Sequence, residues 1–312
     1  MRYLKIILVG LLLAVPVLAT ADAEGLPDEA VWYFHIDLEQ MREDGPGRGV
    51  YDWLQSEALS EVKEESGVDL DKELDSMTAF SMPGAGPVIL FEGAISQETK
   101  DKIMTMIAAD GDISPLKSSG KTYYRFNGAE GEEGPRYTNG DIEIDFESLE
   151  EEAWVSLALK NKVLITGSEA QMQSLLESNG KISGKKSHRG ALLVLSAEKT
   201  MLQAGMNSAA LADEGNSDWD SNILRNTEQV AFMMAVAADK LALEARLITT
   251  EPEMAESLAS VARGLISLMS FDDELDAETA AVLRGTRVEA KGNSLSLSVA
   301  VAPELVVRTL GD

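Results

Sequence analysis

The sequence predicts an α+β protein made of two tandem related modules, each a mainly antiparallel sheet with helices packed on one face. Three observations predict this class. Strand-like segments occur in pairs joined by tight turns, an amphipathic helical segment follows each pair, and the same order of segments occurs twice. Because hairpins connect the strands, long parallel crossovers are not required, and an antiparallel sheet covered by helices is favoured.

Residues 1–23 have the three parts of a secretory signal peptide. Arg2 and Lys5 supply positive charge, residues 6–18 are mostly apolar, and Ala21-Asp22-Ala23 fits the A-x-A cleavage pattern. The apolar stretch is shorter than the ~20 residues that a membrane-spanning helix needs. We therefore expect cleavage after Ala23, no integral membrane segment afterwards, and a periplasmic or secreted protein. The alternative is an uncleaved N-terminal anchor.

The first module is predicted over residues 24–178. It begins with a strand at residues 30–38, which are rich in aromatic and β-branched side chains. Gly45-Pro46-Gly47 is interpreted as a break in the chain before a helix that ends at Gly67. The remaining predicted elements are strands at 78–82 and 87–93, a helix capped by Ser96 that ends near 108, strands at 154–159 and 163–166, and a helix ending near 176.

The second module is predicted over residues 191–312 and repeats this order. The spacing of apolar residues in its longest helix predicts a buried stripe formed by Met254, Leu258, Val261, Leu265 and Met269. Its strands are expected at 191–195, 230–237, 241–249, 287–290 and 294–302, and its helices at 197–211, at 253–271 and from Pro303 onward.

An internal duplication accounts for this repetition. Ala79-Phe80-Ser81-Met82 in the first module is similar to Ala231-Phe232-Met233-Met234 in the second, and each precedes a turn, a second strand and a helix. Residues 179–190, rich in Gly, Ser and Lys, are the predicted linker. The alternative is that any α+β chain aligns with itself this loosely.

An acidic insertion near residues 110–152 has no counterpart of similar length in the second module. Within it, acidic residues alternate with apolar ones, so that on a strand the carboxylates share one face. This face is a candidate surface for a cation or a basic partner, although a solvated outer face of an edge strand explains it too. The candidate residues are Asp141, Glu143, Asp145 and Glu147.

Composition excludes several classes of function. The chain has 27 Lys and Arg against 53 Asp and Glu, a formal net charge of -26, two His and no Cys. Nucleic-acid binding needs clustered cations, so no nucleic-acid partner is expected. Without Cys there is no disulfide, thiol nucleophile, iron–sulfur cluster or Cys-ligated zinc.

Catalytic motifs are weak. Ser183-Gly184-Lys185-Lys186 fits S-x-x-K, but it lies in the linker and lacks the companion motifs of Ser–Lys hydrolases. His35 and Asp37 could form a general base with its orienting group, yet His35 is better interpreted as a solvent-facing residue of a strand. We therefore assign no catalytic, cofactor-binding or metal-binding residue and no cofactor.

These observations favour an exported, soluble, non-enzymatic accessory or binding protein of the bacterial envelope. Its expected partner is an envelope protein or an apolar small molecule, held where two modules meet. Two alternatives stay open at this point. One is an envelope hydrolase that uses only carboxylates, such as Asp37 or the four candidate residues of the insertion. The other is a protein whose structure depends on Ca²⁺.

Overall fold

The computed structural model describes residues 30–43, 45–128, 152–182, 190–202, 225–270 and 277–311, the pieces 138–139 and 142–143, and the positions Pro27, Ile223 and Leu275. The predicted signal peptide, most of the linker, most of the helix predicted at 197–211 and most of the acidic insertion lie outside the described residues.

Twelve strands form one antiparallel sheet. In chain order they are β1 (Trp32–Asp37), β2 (Ser76–Met82), β3 (Gly86–Glu92), β4 (Gly111–Ser118), β5 (Lys121–Gly128), β8 (Glu152–Ser156), β9 (Lys162–Thr166), β10 (Ala191–Glu198), β11 (Thr227–Ala237), β12 (Lys240–Thr249), β13 (Arg287–Lys291) and β14 (Ser294–Val301). Their order across the sheet is β13-β14-β12-β11-β10-β1-β2-β3-β9-β8-β5-β4. A separate two-stranded pair is formed by β6 (Thr138–Asn139) and β7 (Ile142–Glu143).

The helices connect these strands and cover the sheet. They are α1 (Leu38–Glu43), α2 (Gly45–Leu54), a π-helical turn (Gln55–Leu59), α3 (Ser60–Ser66), α4 (Leu70–Glu73), α5 (Gln97–Asp110), α6 (Glu169–Glu177), α7 (Pro252–Met269), α8 (Ala277–Gly285) and α9 (Pro303–Gly311). Among the described helices, none is both long enough and apolar enough to cross a membrane.

The middle of the sheet is the pair β1–β10. These strands run antiparallel, from Trp32 opposite Ala197 to Ile36 opposite Leu193. Outward from this pair, β2 and β3 follow β1, and β11 and β12 follow β10. The mixed helix and strand class and the antiparallel pairing are therefore confirmed. Strands that precede the predicted linker and strands that follow it are hydrogen-bonded in the same sheet. The division into two tandem modules stays a prediction.

Helices pack on both faces of the sheet, because the side chains of a strand alternate between faces. The front face is defined here as the side of Phe34 and Ile36, and the back face as the side of Tyr33 and His35. Met41 of α1, Val50 of α2 and Leu305 of α9 belong to the front cluster. On the back face, α6 packs Met172, Leu175 and Leu176 with Tyr33 and Leu164. The sequence predicts helices on one face only. Most helices do lie on the front face, but α6 packs on the back face.

The segment Gly45-Pro46-Gly47 is the first turn of α2 and not a break in the chain. A proline near a helix start removes an N–H that has no intrahelical partner, so it is tolerated there. Gly47 is buried, and a Cβ built on it would lie 3.1 Å from Met41 Cα and 3.2 Å from Leu192 Cδ1. The absence of a side chain at Gly47 therefore lets α2 pack closely on α1 and on β10.

The hairpin β4–β5 was missed by the sequence analysis, which treated its residues as part of the acidic insertion. It extends the sheet beyond β8, with β4 as the outer strand. Pro115 and the largely exposed surface of β4 weaken the strand signal in the sequence. Both features are typical of edge strands, which bury little and avoid further pairing.

The predicted buried stripe of α7 is wrong. Ala255 and Ala259 are buried against Leu247 and Leu295, whereas most of the large apolar residues point away from the sheet. Small side chains let the helix axis approach the sheet closely, so burial follows the alanine side of the helix. The exposed fractions of the large residues are Val261 43%, Leu265 54%, Leu268 71% and Met269 48%.

Lys100 of α5 is buried, with 6% of its surface exposed. Its ammonium donates hydrogen bonds to the carbonyl oxygens of Leu157, Leu159 and Lys160, at 3.0, 2.7 and 3.2 Å. Burial lowers the pKa of this lysine. The three carbonyls belong to the turn between β8 and β9, so Lys100 holds α5 against that turn.

We expect Lys100→Met to destabilise the protein by about 3 kcal/mol, because buried carbonyls lose their hydrogen-bond donor. Urea unfolding followed by circular dichroism measures this change. Lys102→Met in the same helix is the control. The exposed Lys102 ammonium lies 3.0 Å from Glu98 and donates to the Gly67 carbonyl at 2.9 Å, and exposed contacts of this kind contribute about 1 kcal/mol or less. Equal effects of the two substitutions would contradict the role given to Lys100.

The start of α5 depends on Glu73. Ser96 is the N-cap and accepts a hydrogen bond from the Thr99 N–H, while a Glu73 carboxylate oxygen accepts one from the Ser96 N–H at 2.8 Å. Burial alone would raise the pKa of Glu73, but hydrogen bonds from the Ser96 backbone and from the Thr99 and Ser96 hydroxyls outweigh burial and lower it.

A carboxylate with a lowered pKa stabilises the fold above its unfolded pKa, near ~4.3, and this stabilisation is lost as pH falls through the folded pKa. We therefore expect Glu73→Gln to reduce the free energy of unfolding at neutral pH, and the difference from the unsubstituted protein to shrink as pH falls below ~4. Urea unfolding at several pH values measures it. Glu98→Gln, on the exposed first turn of α5, is the control. A difference that is independent of pH would contradict this account.

Candidate functional site

A pocket of about 680 Å³ lies on the back face, between α6 and the hairpin β2–β3. The sheet supplies Phe80 and Met82 from β2 and Val88 from β3, and the helix supplies Leu175. The described residues that line it are Pro27, Phe80, Met82, Val88, Gln171, Ser174, Leu175, Ser178, Lys181 and Ile182.

The pocket has an apolar floor and a polar rim. Phe80, Val88 and Leu175 are buried and form its inner surface, together with the half-buried Met82 and Ile182. The rim carries one amide, two hydroxyls and one ammonium, from Gln171, Ser174, Ser178 and Lys181. An apolar interior with a few polar groups at its border is the usual composition of a small-molecule site.

Helix α6 is fixed at its N-terminal end. Its N-cap is Ser168, whose hydroxyl accepts a hydrogen bond from the Gln171 N–H at 3.3 Å. Tyr123 of β5 is buried and donates its hydroxyl to Glu169 Oε1 at 2.6 Å. Burial, and then the hydrogen bond to Glu169, raises the pKa of Tyr123. The hairpin that the sequence analysis missed therefore positions the helix that borders the pocket.

The C-terminal end of α6 is held by two lysines. Lys121 Nζ donates to the Leu176 carbonyl at 2.6 Å, and Lys162 Nζ donates to the Gly180 carbonyl at 3.1 Å. Cations are favoured at this end of a helix, where the last carbonyls lack intrahelical partners.

The chain reverses direction just after α6. Asn179 and Gly180 have positive φ angles of 57° and 71°, and the Gly180 N–H donates to the Leu175 carbonyl at 2.6 Å. The positive φ angle favours glycine at position 180, and a Cβ there would lie 2.8 Å from Lys162 Cδ, so a larger residue would displace the lysine side chain. This reversal brings Lys181 and Ile182 to the pocket.

The opposite wall of the pocket depends on a close backbone contact. Gly86 has φ 76°, and a Cβ on it would lie 3.3 Å from the backbone of Gly167. Gln171 of α6 donates its amide to the Gly86 carbonyl at 3.3 Å. The turn before β3 is thus tied to the helix, and the pocket is bordered on two sides by fixed backbone.

The predicted surface of Asp141, Glu143, Asp145 and Glu147 lies outside the described residues, apart from the backbone of Glu143 in β7. The prediction for these four carboxylates therefore stays a prediction. Among the residues that the structure does describe, no group of three or more His, Asp or Glu side chains is placed to hold a metal ion.

The expectation that His35 faces solvent is wrong. His35 is 4% exposed, and its Nδ1 lies 2.8 Å from the Thr78 hydroxyl oxygen of the neighbouring strand β2. Asp37 does not orient it, because Asp37 Oδ1 accepts a hydrogen bond from the Gln40 N–H at 2.8 Å and caps α1. His35 shares the back face with Tyr33, and its burial follows from the coverage of the central strands.

A second polar cluster joins α1, α2 and α4 on the front side. The Arg42 guanidinium donates to the carbonyls of Asp71 and Leu74 and forms an ion pair with Asp75 at 2.9 Å. The Tyr51 hydroxyl donates to the Asp71 carboxylate, and its ring lies under the Arg42 guanidinium, 5.6 Å from ring centre to Cζ. Burial, and then the bond to Asp71, raises the pKa of Tyr51. The polar groups of this cluster are hydrogen-bonded to one another, and they hold α1, α2 and α4 together.

The sequence analysis missed the pocket residues because it assigned them individually to strands or to a helix. One signal could have found part of the site. Gln171, Ser174, Leu175 and Ser178 recur at positions i, i+3, i+4 and i+7, so they share one face of α6. That face mixes one leucine with small polar residues, which differs from the neighbouring buried face of Met172 and Leu176.

No protein-family model matches the chain, and no curated protein matches it. Three crystal structures of TP0453 are similar to it, with TM-scores of 0.39 for form I, 0.44 for form III and 0.47 for form IV. Sequence identity is 10% or 11%, and the alignments cover 93% or 94% of this chain and 97% or 98% of TP0453. These values describe a distant likeness of structure and assign no function.

We expect Tyr123→Phe to lower the free energy of unfolding by about 1–2 kcal/mol, since a buried hydrogen bond to a carboxylate is lost. Glu169→Gln and the double variant complete a cycle, and an interaction energy of at least about 0.5 kcal/mol would show that the two groups act as a pair. Tyr124→Phe, at the next position of β5 and on the opposite face, is the control. Additive effects in the cycle would contradict the anchoring role.

Proposed function

We propose that this chain is an exported, non-enzymatic binding protein that holds a small amphipathic molecule in the pocket between α6 and β2–β3. The observation that carries this proposal is the pocket itself, with its volume of about 680 Å³ and its apolar floor. Small-molecule sites commonly measure ~300–1,000 Å³. The signal-like segment at residues 1–23 supports export, with the periplasm or the exterior as the site of action.

The ligand is expected to have an apolar part and an anionic group. Phe80, Val88 and Leu175 offer an interior that favours hydrocarbon, since burial of apolar surface is the main driving force for association. Among the described lining residues, Lys181 is the one that carries a charge, and its ammonium favours a carboxylate, sulfonate or phosphate group at the rim. In a chain with net charge -26, this local positive group indicates where an anionic ligand is accepted.

The chemistry of the lining favours binding over catalysis. Among the described residues, those that line the pocket include no carboxylate and no imidazole that could act as a general base. The hydroxyl of Ser178 lies within hydrogen-bond distance of the carbonyls of Leu175 and Lys181, at 3.2 and 3.1 Å, and so belongs to the end of α6. The alternative of a carboxylate hydrolase rests on Asp37, whose carboxylate caps α1, and on the four carboxylates of the insertion, whose side chains lie outside the described part. This alternative and that of a Ca²⁺-dependent protein stay predictions.

We also infer that the two halves of the chain arose by duplication, as two related modules at residues 24–178 and 191–312. Support comes from the strand order, because β1-β2-β3-β9-β8 on one side of the sheet corresponds to β10-β11-β12-β14-β13 on the other. A helix follows β3 and β12 in turn, and another follows β9 and β14. The halves differ in the β4–β5 hairpin and in the face on which α6 and α9 pack.

The test uses 11-(dansylamino)undecanoic acid and its methyl ester, whose fluorescence rises in an apolar environment. We expect saturable binding of both probes to the mature protein. Ser174→Trp should fill the pocket and abolish both, whereas Lys181→Glu should weaken the acid roughly fivefold and leave the ester unchanged, because only the acid carries a charge for Lys181.

Two control variants match these substitutions. Glu177→Trp places the same side chain on α6 at a position that does not line the pocket, and Lys160→Glu makes the same charge change at an exposed position nearby. Both should bind the probes as the unsubstituted protein does. Absence of saturable binding, or equal weakening by Ser174→Trp and Glu177→Trp, would refute the proposed site.

A further inference from the structure

Helix α7 carries a regular apolar seam along one side. Met254, Leu258, Val261, Leu265 and Leu268 follow each other at spacings of four, three, four and three residues. This is the spacing of the a and d positions in a heptad repeat, which places the side chains in a narrow line suited to another helix. The pattern extends over most of α7, whose bounds are Pro252–Met269.

Leu258 of the seam packs against the cluster of Leu247 and Leu295, but the later seam residues Val261, Leu265 and Leu268 do not face the sheet. Ala255 and Ala259 are the residues of α7 that are buried against β12 and β14, and the seam lies roughly 100° around the helix from them. Leu265 and Leu268 are 54% and 71% exposed, which is unusual for leucines on a helix that has a core to pack against. Large residues therefore point outward while small ones are buried.

The positions that flank the seam carry no charge. In a heptad with Leu258 and Leu265 at a, the g positions are Ser257 and Gly264, and the e positions are Ala255, Ala262 and Met269. Charged residues at e and g normally determine which helix pairs with which. Here nothing at these positions repels an identical helix, and Ser257 and Gly264 are small enough for close approach.

The charges of α7 lie on its far side. Arg263 donates to the Val288 carbonyl at 3.3 Å and lies 3.6 Å from a Glu256 carboxylate oxygen, and both side chains occupy f positions of the heptad. Because the chain has a net charge of -26, two copies repel each other over most of their surfaces. The uncharged seam is a place where two copies can approach without opposing carboxylates.

We propose that α7 is the interface of a homodimer, in which the seams of two copies pair around a two-fold axis. Closed two-fold pairs are the commonest oligomers of soluble proteins. The exposed apolar residues on this side of α7 are Val261, Leu265, Leu268 and Met269. They present roughly 400 Å² per copy, or about 800 Å² for the pair, which is below the ~1,000 Å² that a stable interface buries, so the dimer is weak and forms reversibly. This interface is separate from the pocket, since α7 covers β12–β14 on the front face and the pocket lies on the back face.

The first test is sedimentation velocity of the mature protein at about 10 μM to 1 mM, where weak interfaces are populated. We expect a monomer–dimer equilibrium that shifts toward the dimer as salt rises, because salt screens the repulsion between acidic copies. Leu265→Glu with Leu268→Glu should weaken dimerisation at least tenfold. Ser260→Glu with Ser267→Glu, on the opposite side of α7, adds the same charge and should dimerise like the unsubstituted protein. Circular dichroism verifies that both variants fold.

The second test uses the absence of cysteine from the chain. Leu265→Cys places one thiol on the seam, and Ser267→Cys places one thiol two residues away on the opposite side. Under mild oxidation, a disulfide-linked dimer is expected for Leu265→Cys and not for Ser267→Cys. A monomer at every concentration, or equal crosslinking of the two variants, would overturn the proposal. So would a monomer that binds phosphatidylcholine vesicles through Leu268, because the seam would then serve a membrane surface.

Discussion

The antiparallel pairing of β1 with β10 is the contact on which the rest of the structure depends. Five facing residue pairs join the two halves of the chain there, and every other strand of the large sheet is added outward from this pair. Since β1 and β10 are central, their side chains are covered on both faces. The front cluster includes Val155 from one half and Val301 from the other, so the two halves share a core as well as a sheet.

The alternation of side chains across β1 divides the sheet into two faces that carry different helices. Phe34 and Ile36 support the helices of the front face, and Tyr33 belongs to the cluster that supports α6 on the back face. The pocket exists because α6 is held at both ends by polar contacts from β5 and β9 while its middle meets β2 and β3. The apolar tail of a bound ligand would contact the side chains of the sheet that α6 leaves uncovered.

Much of the fold could be predicted from the sequence, because many strands and helix caps depend on residues that are close together in the chain. The hairpin β13–β14 alternates larger apolar residues with small or polar ones, whereas β2–β3 and β11–β12 contain apolar runs on either side of a turn signal. The caps at Ser96 and Gly67 depend on residues close together in the chain. The β4–β5 hairpin and the burial of His35 could not be predicted, because edge strands bury little and because coverage of a strand face depends on distant helices. The pocket also depends on residues that are distant in the chain, since Phe80, Leu175 and Lys181 come together only when α6 packs on the sheet.

The sequence by itself determined the class of the protein, the order of most of its helices and strands apart from the β4–β5 hairpin, its strong negative charge and the absence of thiol chemistry. These features depend on composition or on residues close together in the chain. Only the tertiary structure decided that the strands share one sheet, where the pocket lies, and which side of α7 is buried. Periodicity identifies an apolar stripe but not the surface it meets, and on α7 the alanines pack against the sheet because only small side chains allow so close an approach.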